Sequence, residues 1–300
     1  MNPVLEVRHL TKKYPTHLAV DDLSFRVMPG EVYGFLGENG AGKSTTLRCI
    51  LGLIRPTTGE ILIAGQPFPK SGISLLRRIG AVVERPDMYS YFTGLENLRL
   101  FARLCDATIP ESRLDEVLTL VGLKDRMHDR VKAYSLGMKQ RLGIAIALVH
   151  EPDLLILDEP TNGLDPQGIA DIRNLILHLS RDLGKTVIIS SHLLAEIENV
   201  ATRLLILHKG KKMLEGAYEE LVRPSETRVL IQLATPFPEL RQAGLSWNAE
   251  QGSNPQQLVF RTEATAVPEL IRQLAQQGAA IQSVQTRHSL EDLFLSLTAS

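Results

Sequence analysis

Cysteine is nearly absent from this 300-residue chain, which carries only Cys49 and Cys105. Two such residues in apolar helical surroundings exclude a disulfide framework and fit reduced thiols in a cytosolic protein. Both are expected to be inert and buried. Charge of one sign is not in excess either: 33 basic residues face 34 acidic ones, for a formal net charge of −1. Nothing global therefore points to nucleic acid or an anionic membrane surface, and such a partner would have to be met locally. Long hydrophobic runs are missing as well. Leu154 to Leu157 and Arg203 to Leu207 are only strand-length and flanked by charge, so the chain itself is not expected to span a membrane. Met1 to Val7 has neither a basic segment nor an apolar stretch of signal-peptide type. No repeat of 20 to 50 residues and no low-complexity segment is visible.

What is present is a phosphate cradle. Gly37-Glu38-Asn39-Gly40-Ala41-Gly42-Lys43-Ser44, with Thr45 directly behind it, fits G-x-x-x-x-G-K-[ST] at every fixed position. Val32 to Leu36 reads as a buried strand before it and Ser44 to Leu53 as a helix after it, the context the motif requires. Glycines let successive backbone N–H groups turn toward phosphates, and the helix N-terminus adds its dipole. Lys43 would reach the β- and γ-phosphates, and the Ser44 hydroxyl stands where such loops hold Mg²⁺.

The first 85 or so residues read as strand-rich: Leu5 to Val7, Leu23 to Val27, Val32 to Leu36, Glu60 to Ile63 and Ile79 to Val83. Residues 87–150 then change character. Leu95 to Leu104, Ser112 to Val121 and Met138 to Val149 have helical apolar spacing, so a helical subdomain is expected as an insertion before the sheet resumes. Leu154 to Leu157, Thr186 to Ser190 and Arg203 to Leu207 read as buried strands separated by helices such as Ile169 to Leu179, a parallel α/β pattern. A boundary is expected near Pro224-Ser225, dividing a domain of residues 1–222 from one of residues 226–300. In the latter, Arg228 to Leu233 and Leu258 to Arg261 read as strands, Val267 to Gln277 as an amphipathic helix and Ser289 to Leu297 as a short capped one.

The strand Leu154 to Leu157 ends in Asp158 and Glu159, 115 residues beyond Lys43, and fits the acidic strand end that completes a P-loop site. Asp158 would hold Mg²⁺ through water, and Glu159 would act as general base on the attacking water. Paired acids at a strand end are weak evidence alone; the P-loop gives them their meaning.

Tyr134-Ser135-Leu136-Gly137-Met138-Lys139-Gln140-Arg141 resembles the signature loop of ABC-transporter ATPases, and the resemblance extends over roughly residues 3 to 220. It is a variant, with Leu136 where glycine and Met138 where glutamine is common. Ser135 and Gly137, which match the phosphate-contacting positions, are kept. The family implies an α/β P-loop NTPase fold: a RecA-like core, an antiparallel β subdomain and an inserted helical subdomain. Here a small C-terminal α+β domain follows. Ser135 is expected to cap the helix from about Met138, making a second anion site. The resemblance implies that this loop faces the nucleotide of another copy, so a head-to-tail dimer encloses two ATP. Asn162-Gly163-Leu164-Asp165-Pro166 resembles the D-loop at that seam, and Asp165 is thereby implicated at the nucleotide. Ser190-Ser191-His192 resembles the switch segment whose histidine, His192, contacts the γ-phosphate. Tyr14 resembles the aromatic on which adenine stacks, an edge-strand tyrosine being the alternative.

One departure stands out. Ile79-Gly80-Ala81-Val82-Val83-Glu84 is similar to the strand entering the Q-loop, yet the expected glutamine is Glu84. An oxygen ligand toward Mg²⁺ survives, with a negative charge added beside Asp158 and Glu159. Glu84, Leu136 and Met138 together resemble the exporter ATPases related to bacitracin and lantibiotic self-protection. Arg287 to Leu295 is similar to the ending of many such exporters. The expectation is thus an ATP-hydrolysing subunit, a homodimer on the cytoplasmic face of the membrane, driving a separate integral-membrane permease. The permease would dock near Glu84 and Tyr89 to Leu95, where Met88, Tyr89, Tyr91 and Phe92 are alternatively local packing. A soluble ABC ATPase acting on nucleic acid or the ribosome is the alternative. Such proteins usually carry a coiled-coil insertion or two cassettes, and neither is visible. A GTPase lacks support because no Asn-Lys-x-Asp motif occurs.

Overall fold

A computed structural model of the chain describes residues 2–84, 87–105, 108–221, 227–236, 249–251 and 254–287. It divides into two compact units, Met1–Gly216 and Ala217–Ser300.

The first unit opens with strands β1 (Leu5–Lys13), β2 (Leu18–Val27) and β3 (Val32–Leu36), then helix α1 (Lys43–Ile50) and strands β4 (Thr58–Ile63), β5 (Gln66–Phe68) and β6 (Ile79–Val82). Helices α2 (Gly94–Cys105), α3 (Glu111–Leu120) and α4 (Leu136–Leu148) form the expected helical insertion. Strand β7 (Leu154–Asp158), helix α5 (Pro166–Arg181), strand β8 (Thr186–Ser191), helix α6 (Leu194–Glu198) and strands β9 (Arg203–His208) and β10 (Lys211–Ala217) complete the unit.

Two sheets share this work. An antiparallel sheet runs β2-β1-β4-β5, and a six-stranded sheet runs β10-β9-β3-β8-β7-β6. In the second, β3 pairs in parallel with β8 and β9, and β7 pairs in parallel with β8 and β6. All five residues of β3 and of β7 are buried, as strands covered on both faces require. One core cluster takes Leu5, Leu23 and Ile61 from the antiparallel sheet, Phe35, Ile156 and Ile188 from the parallel one, and Leu47 and Ile50 from α1. Helix α1 is thus held from both sheets. Beneath α6, Gly34 leaves room for the chain to pack: a Cβ there would lie 2.5 Å from the Ile197 side chain.

Several boundaries differ from expectation. Helix α1 stops at Ile50 rather than Leu53, because Gly52 turns left-handed (φ 69°) and Leu53 N–H closes back on Arg48 O at 2.9 Å. Helix α4 begins at Leu136 rather than Met138, since Ser135 caps its third residue. Tyr14 lies in a turn beyond β1, where its N–H meets His17 O, and not in an edge strand. Cys49 is buried as expected. Cys105, the last residue of α2, is only half-buried, because a helix end carries it away from the core.

The second unit has helix α7 (Tyr218–Leu221), strands β11 (Thr227–Leu233), β12 (Ala249–Gln251) and β13 (Gln257–Thr262), helix α8 (Val267–Gln276) and strand β14 (Ile281–Arg287). Its sheet runs β12-β13-β11-β14 with antiparallel pairs. Helix α8 buries Val267, Leu270 and Leu274 with Val229, Ile231 and Phe260. The helix expected over Ser289 to Leu297 and the boundary residues Pro224-Ser225 lie outside the described residues.

Candidate nucleotide site

The carboxyl ends of β3, β8 and β7 lie side by side, and each delivers one piece of the site. The turn after β3 is the glycine loop. A Cβ at Gly37 would sit 2.5 Å from Leu207 O, and one at Gly42 2.5 Å from Ala19 O; Gly42 also holds φ 103°. The loop therefore fits its place only with glycine there. Ala41 N–H closes on Glu38 O, and Ala41 O accepts from Gly210 N–H. Among the described residues, the amides of Asn39, Gly40, Gly42, Lys43, Ser44 and Thr45 meet no acceptor. Six such N–H groups around the start of α1 form an anion cradle.

Lys43, only 5% exposed, reaches back over this cradle. Its Nζ donates to Gly37 O (2.6 Å) and Glu38 O (3.3 Å), and stands 3.1 Å from Glu159 Oε1. Glu159 leaves the end of β7 with φ 50°, an uncommon conformation for a side-chain-bearing residue. Its other oxygen is 2.6 Å from His192 Nδ1, just past β8. Lys43, Glu159 and His192 thus form one chain of contacts.

Two residues that the sequence reading gave no role hold this chain in place. The β7–β8 register sets Ser190 beside Asp158. Ser190 Oγ donates to Asp158 Oδ1 (2.5 Å) and accepts the Glu159 N–H (2.9 Å). Glu196, on α6, accepts from Thr161 Oγ1 (2.7 Å) and Ser191 Oγ (2.6 Å), tying the segment after β7 to the end of β8. His208, at the end of β9, lies by the glycine loop instead: its Nδ1 is 3.9 Å from the Glu38 carboxylate and its Nε2 is buried without a partner. Ser190 stands in the Ser190-Ser191-His192 motif, but no sequence signal marks these contacts, because they depend on which elements are neighbours in the fold.

Other expected residues are placed elsewhere. Ser135 caps α4, accepting from Met138 N–H at 3.2 Å. Asp165 caps α5, accepting from Gly168 N–H at 3.0 Å, so its carboxylate serves the helix rather than facing the P-loop of its own chain. The two caps are neighbours: Gly163 lies against Leu136 and Gly137 against Leu164. Tyr14 stacks on His17 (5.0 Å between centroids) with Lys12 over its ring, so that face of the phenol is engaged locally. Glu84 (φ 61°) pairs with Arg48 of α1. Among the described residues no three His, Cys, Asp or Glu side chains converge as a metal cluster. Ser44 and Asp158 supply a hydroxyl and a carboxylate, hard oxygen donors of the kind Mg²⁺ takes when substrate phosphates complete its shell.

Residues 20–162 match the family described as ABC transporter. The chain is 43% identical to the uncharacterized ABC transporter ATP-binding protein YhcH of Bacillus subtilis, over 99% of this chain and 97% of the relative. This chain belongs to the ABC transporter ATP-binding proteins. The bacitracin transport ATP-binding protein BcrA of Enterococcus faecalis shares 36% identity with the ABC chain over 99% of it and 97% of the relative. Among solved structures, cbiO1 from Clostridium perfringens, part of the ABC transporter complex cbiONQ, superimposes with TM-score 0.67 at 30% identity, covering 74% of this ABC chain and 91% of that one. A dimeric ATP-binding cassette in a post-hydrolysis state with ADP and Pi superimposes with TM-score 0.65 at 26% identity, covering 72% and 99%. The fold is that of an ABC ATPase, and the chain is a nucleotide-binding, ATP-hydrolysing subunit of a transporter. Among the described residues, no helix is long and apolar enough to cross a membrane.

Proposed function

We propose that this chain is the motor of an exporter, with residues 1–222 as ATPase domain and residues 226–300 as an appendage. The observation that carries the reading is the contact chain Lys43–Glu159–His192 beside six unpaired loop amides. The amides and Lys43 would bind the β- and γ-phosphates of ATP. Glu159 would take a proton from the attacking water, with His192 holding its second oxygen and so fixing the carboxylate's direction. Mg²⁺, held by Ser44 and Asp158 with Glu84 at the margin, would supply charge neutralisation on the phosphates. Tyr14 would flank the adenine.

Ser135 and Gly137 lie at an exposed helix N-terminus packed on the Asn162–Asp165 segment. A second copy, placed head to tail, would present that end to the phosphates. The permease would be a separate membrane chain, met at the cytoplasmic face. Tyr89, Tyr91 and Phe92 support this, being 56%, 77% and 42% exposed. Exposed aromatics so close in sequence suit a protein contact. Export follows from the resemblance to bacitracin transport and Nod factor export ATP-binding proteins.

The test is purification of the Glu159→Gln protein with Mg²⁺ and ATP from detergent-solubilised native membranes. The closed dimer should retain its partner. Recovery of a multi-span membrane protein supports the reading; recovery of ribosomal or DNA-associated proteins alone overturns it.

A further inference from the structure

Residues following β6 and β7 leave the sheet at one edge, because the register sets Val82 beside Leu157. That edge carries three carboxylates: Glu84, Asp158 and Glu159. Asp158 accepts from Ser190, and Glu159 is held by Lys43 and His192. Among the described residues, Glu84 pairs with Arg48, in the last turn of α1. Under the proposed function, phosphates arriving at the cradle draw Lys43 to themselves. Among the described residues, Arg48 is then the cation paired with Glu84 that is not committed to substrate.

We propose that Arg48 is a positioning residue for ATP binding: its guanidinium neutralises Glu84 and holds that residue, just past β6, against the phosphate-binding helix. Two observations and one electrostatic argument carry this. Arg48 and Lys43 stand on the same eight-residue helix, so the pair joins the helix that cradles phosphate to the segment leading into the helical subdomain. Glu84 holds a left-handed backbone, uncommon for a residue with a side chain, which a fixing contact helps to hold. Without Arg48, the Glu84 charge would repel the polyphosphate. The inference rests on the proposed function for the identity of the ligand. It goes beyond that function in assigning a role to a residue that touches neither ATP nor metal.

The test is a double-mutant cycle on the full chain, reading the affinity for a fluorescent non-hydrolysable ATP analogue with Mg²⁺. Arg48→Met should weaken binding about 3- to 5-fold, the scale of a half-exposed ion pair. Arg48→Lys should stay within about 2-fold, since the charge is kept. Glu84→Gln alone is the fourth corner, and Arg48→Met/Glu84→Gln should bind as Glu84→Gln does, because the repelling charge is gone. A double variant weaker than Glu84→Gln by the factor that separates Arg48→Met from wild type overturns the proposal, for Arg48 would then act on the helix or nucleotide directly. Thermal unfolding is read on all five proteins. Should Arg48→Met alone not fold, Arg48→Lys against wild type and the double variant against Glu84→Gln decide: only a neutralising role leaves both pairs matched. Lys43→Ala in the same titration separates the readings, since unchanged affinity there removes the ATP site itself.

Discussion

Removing the Ser190 hydroxyl tests whether Asp158 and Glu159, the carboxylates of the proposed site, are held by the strand beside them. Ser190 is fully buried, and its Oγ makes two contacts, at 2.5 Å to the Asp158 carboxylate and 2.9 Å to the Glu159 N–H. The Glu159 N–H keeps a second acceptor in Ser190 O at 3.2 Å, so the loss in Ser190→Ala falls mainly on the charged acceptor. A hydrogen bond to a charged group contributes about 1.5–3 kcal/mol, so a loss near 2 kcal/mol is expected. For a unit the size of residues 1–216, that lowers Tm by roughly 4–8 °C. The kinetic effect should be separate. Ser190 fixes the backbone at which Glu159 turns, and displacing a general base by a fraction of an ångström costs on the order of tenfold to a hundredfold in kcat. The KM for ATP should change less, because the P-loop is untouched. Ser191→Ala is the comparison: its hydroxyl donates to Glu196 and accepts from Leu193 N–H, so stability should fall while kcat falls less. Calorimetry and steady-state hydrolysis on the three proteins decide. If Ser190→Ala keeps both its Tm and its kcat, the claim that β8 positions the carboxylates is wrong.

Lys43→Ala removes charge-assisted contacts to phosphate and should weaken ATP binding about tenfold or more in a direct titration; equal affinity would refute the P-loop assignment. Burial pushes the Cys49 thiol up to about 11, so at pH 8 it stays protonated. Native protein should label with iodoacetamide at Cys105 before Cys49, with Cys49 reacting on unfolding; rapid native labelling of Cys49 contradicts its packing. Tyr91→Ser should cost less than about 0.5 kcal/mol of stability, since the ring is largely exposed. It should nonetheless weaken co-purification of the membrane partner, and undiminished recovery would move the docking surface away from Tyr89–Phe92.

Much of this architecture is legible in the sequence where one physical signal dominates. Val32–Leu36, Leu154–Asp158, Thr186–Ser191 and Arg203–His208 read as strands because both faces are buried, leaving continuous apolar runs. The glycine loop reads because its spacing is set by phosphate geometry. Elements without such a signal stay hidden: β5 is Gln-Pro-Phe, and β10 is an edge strand opening on exposed Lys211 and Lys212. Helix α6 has only five residues. The site divides in the same way. Lys43, Asp158, Glu159 and His192 stand in motifs, whereas the contacts of Ser190 with Asp158 and Glu159, and of Glu196 with Thr161 and Ser191, come only with the fold. Asp165 and Ser135 are expected at the nucleotide from the family resemblance, and within the chain local cap chemistry accounts for the contacts they make.

The contact between Lys43 and Glu159 implies an order of events that affinity can test. Both groups are largely buried, at 5% and 19% side-chain exposure, and their 3.1 Å contact occupies the cation that phosphate needs. Under the proposed function, ATP has to break this ion pair in order to bind, and would thereby release Glu159 toward the attacking water while His192 still holds its other oxygen. Glu159→Gln keeps the shape but removes the charge that competes for Lys43. A charge-assisted contact of this kind contributes about 1.5 kcal/mol, so the variant should bind a non-hydrolysable ATP analogue roughly tenfold tighter. The analogue matters, because slowed hydrolysis alone would raise apparent affinity for ATP. Measurement on dilute, monomeric protein matters equally, since dimer trapping would do the same. Equal affinity under those conditions would mean that Lys43 meets phosphate without leaving Glu159, and that the base is not masked by the resting site.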